Sequence, residues 1–155
     1  MLQAAMSKRA ERVHIRLARP DERDALEALQ WRASLANPAD RPHLQAHPDA
    51  IHLPIEQIEL GQVLVAEFDG GIAGFAAVVP EAAHIELDGL FVEPKLWKQG
   101  IGAMLVEAAT HEARRRGLAL MVVANGAALG FYQRCGFVIE GEAQTRFGPA
   151  LRMSR

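Results

Sequence analysis

The stretch from Gln62 to Leu105 constrains the fold more than any other part of the chain. QVLVAEF and IAGFAAVV are two β-rich runs joined by DGG, a hairpin signal because glycines tolerate the positive φ that tight turns require. HIELDGLFV follows as a third long strand, in which Gly89 weakens the interior and marks a bulge or a close backbone approach. LWKQGIGAML then opens a helix that carries Met104, Leu105, Ala108, Ala109 and Ala113 on one side and closes with three arginines before Gly117. An antiparallel meander that runs straight into a strand–helix unit predicts a mixed sheet.

The flanking segments fit that frame. VHIRLA is a short strand, and Pro20 and Asp21 open a helix to about Ser34 with Leu26, Leu29 and Ala33 as its apolar stripe. From Asn37 to Pro54 prolines and histidines dissolve the periodicity, which predicts a loop with helical turns before IEQIEL. LALMVV reads as a buried strand, NGAALGFYQRC as a helix, GFVIEG as a strand, and the last residues as one more. The expected fold class is α/β, as one domain over residues 13–155 preceded by a frayed polar segment, 1–12.

Composition narrows the function. Half of the 155 residues are hydrophobic and 23% are charged, as in ordinary globular proteins, and a formal charge of -2 argues against nucleic acid as a partner. The single cysteine, Cys135, excludes an internal disulfide and a multi-cysteine metal site. No apolar run approaches the roughly 18 residues of a membrane span, and MLQAAMSKRAERV lacks the apolar core of a signal peptide, so the expectation is a cytoplasmic protein without membrane contact. His43 and His47 stand four apart, but prolines interrupt the segment and no acidic or cysteine ligand is spaced with them, so no metal is expected.

The Gly100-Ile101-Gly102 turn is a weak chemical signal by itself and reads equally well as a tight turn between strand and helix. Backbone N–H groups left unpaired at a helix N-terminus form an anion site suited to phosphate. Neither nucleotide motif survives: GxxxxGK[ST] is absent, and Leu105 stands where GxGxxG needs its third glycine.

FVEPKLWKQGIGAMLVEAA, followed by NGAALGFYQRCGF, resembles the GNAT superfamily of acyl-CoA dependent N-acetyltransferases. Val92, Pro94, Gly100 and Gly102 match its phosphate-loop pattern, and Asn125, Ala128, Phe131, Tyr132, Gly136 and Phe137 match its later one. Trp97 departs from the pattern by standing at the usual Arg/Gln position, with Lys98 beside it as compensating charge. The resemblance implies a mostly antiparallel sheet flanked by helices and splayed at an acyl-CoA cleft. Acetyl-CoA would set its pyrophosphate on the N–H groups of Gln99, Gly100, Ile101, Gly102 and Ala103, and run its arm beside the strand end Leu90, Phe91 and Val92. Asn125, Ala128 and Phe131 would complete that site, although Asn125 reads equally well as a helix N-cap. The acceptor pocket would fall near Trp31, Arg32 and Asn37, although the first two read more readily as a core tryptophan with a solvated arginine.

The chemistry adds a base and an acid. His84, Glu86 and Asp88 alternate onto one strand face, with Glu86 the first candidate for the base and Asp88 the second; a structural polar network or a water-facing strand face is the competing reading. Tyr132 holds the family's acid position, against the alternative of a tyrosine packed on the sheet. The expected function is direct acetyl transfer to an amine of a small molecule or peptide. The rivals are a non-catalytic acyl-CoA sensor and, more weakly, a nucleotide-binding oxidoreductase. Homodimerisation is left open.

Overall fold

The computed structural model describes residues 12–155, so the expectation of a frayed start falls almost wholly outside the described residues. Strand β1, Val13–Leu17, leads through a 3-10 turn into helix α1, Arg23–Ala36. Leu26, Leu29 and Ala33 are its buried residues, as their three- and four-residue spacing requires. The proline-rich segment supplies two short helices, α2 (Arg41–Ala46) and α3 (Ile55–Glu59).

Strands β2 (Val63–Phe68) and β3 (Gly71–Pro80) meet at a two-residue turn. Asp69 and Gly70 take its positive φ values, 51° and 79°, so one aspartate and one glycine carry the turn rather than the two glycines. Strand β4, Ile85–Val92, is followed by helix α4 (Ile101–Arg115), strand β5 (Leu120–Ala124), a one-turn-and-a-half helix α5 (Leu129–Arg134), and the hairpin β6 (Val138–Thr145) and β7 (Gly148–Ser154).

The seven strands form one sheet in the order β1-β2-β3-β4-β5-β7-β6, and only β4 and β5 run parallel. Helix α4 packs on one face, burying Leu105, Val106 and Ala109 against Ile85, Leu87 and Leu120; α1 covers the other, where Leu26 and Leu29 meet Val63, Val65 and Phe75. No helix among the described residues is long and apolar enough to cross a membrane.

Two irregularities in β4 create the site. Its register against β3 slips between Ala77 and Val78: Ala77 faces Gly89 and Val78 faces Leu87, which leaves Asp88 opposite no partner. One inserted residue inverts every side chain beyond it. Ile85 and Leu87 lie in the α4-side core before the bulge; after it Leu90 and Val92 pack there, while Phe91 turns to the α1 side. The second irregularity is a short pairing, for β4 meets β5 only at Ile85 with Leu120 and Glu86 with Met121, beyond which the strands part.

Candidate active site

The parted strands leave an inner strand edge. Glu93 N–H donates to the Ala73 carbonyl at 2.8 Å, so by the alternation of an antiparallel ladder Phe91 also bonds toward β3. The N–H and C=O groups of Leu90 and Val92 therefore point the other way, into the gap. The Val92 carbonyl is already taken, accepting the Trp97 indole N–H at 2.8 Å.

Helix α4 begins beside this edge. Gly100 is its N-cap, with φ +86° that L side chains rarely adopt, and no side chain caps the helix. The first bond of the helix runs from Met104 N–H to the Gly100 carbonyl, so the N–H groups of Ile101, Gly102 and Ala103 have no partner within it. Lys98 also sits at positive φ, 62°, and its ammonium is exposed beside the loop. A Cβ on Gly102 would come within 3.3 Å of the Phe131 ring and 3.7 Å of Val92 Cγ2, so glycine is what keeps backbone reachable there. The Gln99 carboxamide oxygen is buried without a partner.

Strand edge and helix end open into one groove of about 560 Å³. Leu90, Phe91 and Val92 line it from the strand edge, Lys98, Gly100, Ile101, Gly102 and Ala103 from the loop and helix end, and Ala128, Phe131 and Tyr132 from the α5 region. The arrangement fits acyl-CoA: free amides and a cation for phosphates, then a strand edge for an amide-bearing arm.

Tyr132 is 8% exposed and packs edge-on against Phe131 and Phe137, with ring centroids 5.1 and 5.3 Å away. Burial, with a smaller contribution from Cys135, pushes its phenol up to about 12. No hydrogen bond to its hydroxyl occurs among the described residues.

The sequence-selected carboxylates lie elsewhere. Glu86 accepts a hydrogen bond from His84 Nε2 at 2.9 Å in the tautomer that carries its proton there, and Arg152 stands 3.9 Å away. Asp88 is exposed at the bulge, and neither acid lines the groove. Glu86 does share a sheet side with Met121, its register partner, and hence with Val123 two residues on. Val123 lines a second cavity of about 380 Å³ on the α1 side.

Asn125 lines that second cavity rather than the groove. Its side-chain oxygen accepts the Ala128 N–H at 3.0 Å, the capping arrangement, although the turn it caps precedes α5. Its amide donates to Asp40 at 3.3 Å. Arg32 is not free for a ligand, because it forms a two-pronged bond to Glu93 at 2.9 and 2.8 Å. His43 and His47 stack on Phe147, with centroids 4.9 and 5.6 Å away, and among the described residues no group of three potential ligands could hold a metal ion. Asp40 and Phe147 were invisible to sequence reasoning, since each gains its role only from contacts distant along the chain.

The model of the acetyltransferase (GNAT) family matches residues 24–137, spanning both glycine-loop and α5 motifs. The chain belongs to the GNAT acetyltransferase family. Among solved structures, the PaiA N-acetyltransferase of Thermoplasma acidophilum in complex with coenzyme A superposes with a TM-score of 0.73 at 18% identity, covering 92% of this chain and 98% of that one. A GCN5-related N-acetyltransferase from Rhodopseudomonas palustris gives 0.72 at 21% identity, covering 92% and 94%. Nourseothricin acetyltransferase gives 0.54 at 29% identity over 59% of this chain and 62% of that one. No curated protein matches the chain. Within the GNAT pattern, Trp97 at the usual Arg/Gln position is what sets this loop apart, and its indole is turned back onto Val92.

Proposed function

We propose that the chain is an N-acetyltransferase that moves an acetyl group from acetyl-CoA directly to an amine of a small molecule or peptide. The observation that carries this reading is the convergence of an unpaired strand edge, an uncapped helix N-terminus and a buried tyrosine on one groove. Acetyl-CoA supplies an activated thioester; the residues supply position and proton handling.

The loop amides from Gln99 to Ala103, with Lys98, hold the pyrophosphate in place of the missing Arg or Gln side chain. Leu90 and Val92 N–H and the Leu90 carbonyl hold the arm, and Asn125 acts by fixing the turn that sets Ala128 and Phe131. Glu86, or Asp88 as second choice, takes the proton of the incoming ammonium through water, because an amine with a pKa near 10 is mostly protonated at neutral pH. The nitrogen then bonds to the acyl carbon and the C–S bond breaks. The second proton leaves nitrogen as sulfur gains one.

Tyr132 is the residue offered to that sulfur. An unperturbed phenol is close in acidity to a thiol, but burial raises this one well above that match. It therefore stays protonated throughout the working range and serves first as a hydrogen-bond donor to the developing thiolate. An acceptor panel with acetyl-CoA, following release of free thiol, tests the function. Thiol release that depends on an amine supports it, whereas CoA binding with no turnover on any amine would instead make the chain a sensor.

A further inference from the structure

The groove and the second cavity have one lining residue in common, Asp40. It stands in the loop between α1 and α2, and each of its oxygens receives one carboxamide N–H: Asn37 donates to Oδ2 at 3.0 Å and Asn125 to Oδ1 at 3.3 Å. No lysine or arginine pairs with it among the described residues, and the titratable side chain that bears on it is His43, from α2. A carboxylate only partly exposed, satisfied by neutral donors and facing two cavities, lacks the cation that would offset its desolvation. Burial accordingly raises its pKa despite His43 and Asn37.

The second cavity has the complementary chemistry. Val123, Ala127, Ala150 and Phe147, the last at the β6–β7 turn, give it apolar lining beside the polar side chains of Asp40, His43, Asn125 and Thr145. That turn is held against the α2 region by the stacking of Phe147 with His43 and His47 and by the Arg146–Asp49 ion pair at 3.4 Å. A cavity of this size takes a small body; Arg146 already lies over the Phe147 ring, 5.4 Å from its centroid, so the Asp40 carboxylate is the group there that favours an added cation.

We propose that Asp40 is the acceptor-recognising group, and that the acceptor is a small alkylammonium with an apolar or aromatic body, entering through the second cavity. The inference rests on the acetyltransferase reading and narrows its acceptor from any amine to this class. The ammonium gives Asp40 the charge it lacks and sets the nitrogen at the boundary with the groove. Asp40 acts here as a specificity residue; removal of the proton stays with the β4 carboxylates.

Phenethylamine and its neutral analogue 2-phenylethanol, titrated calorimetrically into the wild-type protein with and without CoA, test the proposal. The amine should bind at least about tenfold more tightly, the low end of what a charge-assisted hydrogen bond contributes. Asp40→Asn should bring the amine to the level of the alcohol while CoA affinity stays within about twofold, and Asp40→Glu should restore part of the preference. In turnover the loss should appear mainly in KM for the amine rather than in kcat. Equal binding of amine and alcohol to the wild type, or an amine affinity untouched by Asp40→Asn in a protein that melts normally, overturns the assignment. Failure of the wild type to bind CoA overturns the acetyltransferase reading instead, and the amine–alcohol comparison on the free protein still decides the role of Asp40.

Discussion

The indole N–H of Trp97 donates to the carbonyl of Val92 at 2.8 Å, fastening the loop ahead of α4 to the last residue of β4. The side chain that the family pattern reserves for phosphate is thus used to fix the loop. Trp97→Phe keeps an aromatic ring and removes the donor. It should weaken CoA binding about fivefold by calorimetry, corresponding to about 1 kcal/mol for one hydrogen bond, with a small change in melting temperature. Unchanged affinity would show that the loop holds its shape without the indole.

Gly102→Val should abolish measurable CoA binding in a protein that remains folded. The added Cβ lies 3.3 Å from the Phe131 ring before its two methyls are counted, and its backbone φ is not in the left-handed region. Circular dichroism with calorimetry checks both halves, and wild-type affinity in the folded variant sinks the phosphate-cradle reading.

Tyr132→Phe should lower kcat with CoA affinity nearly unchanged. The ring keeps its contacts with Phe131 and Phe137, and the hydroxyl it loses makes no hydrogen bond among the described residues, so the melting temperature should not fall. Steady-state kinetics paired with a thermal melt separates this from a packing role, for which kcat would not move.

Glu86→Gln should slow turnover roughly 10²-fold at neutral pH, with less loss at high pH where the amine is already free. Asp88→Asn should cost less, since that side chain is exposed at the bulge. A reversed order in the two pH–rate profiles would transfer the role to Asp88.

Acid stability should depend on Glu22. Arg16 grips its carboxylate at 2.9 and 2.8 Å, and the Arg19 backbone N–H donates at 2.8 Å, tying β1 to the start of α1. The Arg16 bonds, aided by that N–H against the cost of burial, lower the Glu22 pKa from 4.5 to about 2. A depressed folded value means that the contribution is complete above pH 4.5 and is lost as pH falls toward 2; it is on the order of 3 kcal/mol. Melting temperature measured from pH 7 to 2 should drop across that window, and Glu22→Gln should start lower and fall less.

The elements that repeat locally were legible in the chain. Leu26, Leu29 and Ala33 announced the buried side of α1, and Gly89 announced the bulge that Asp88 and Gly89 form. The consequence of the bulge was not legible, because a strand pattern fixes alternation but not the residue at which it inverts. Hence the shared face assumed for His84, Glu86 and Asp88 ends at Glu86. Asp40 and Asn125 meet across 85 residues of chain, and the proline-rich stretch that carries Asp40 has no period from which to infer a partner. The reading of Asn125 as a cap was legible because that bond is local, only three residues long.

The two-pair contact between β4 and β5 makes the sheet a pair of leaves joined at a narrow spine. One leaf holds β1 to β4 and the other β5, β7 and β6. A ligand arm lying along Leu90 and Val92 would act as a temporary seam between them. Amide hydrogens at those two residues should then exchange quickly with solvent in the free protein and slowly in the loaded one, while Phe91, bonded toward β3, stays protected in both. Occupancy would be written into the backbone itself, readable before any acceptor arrives.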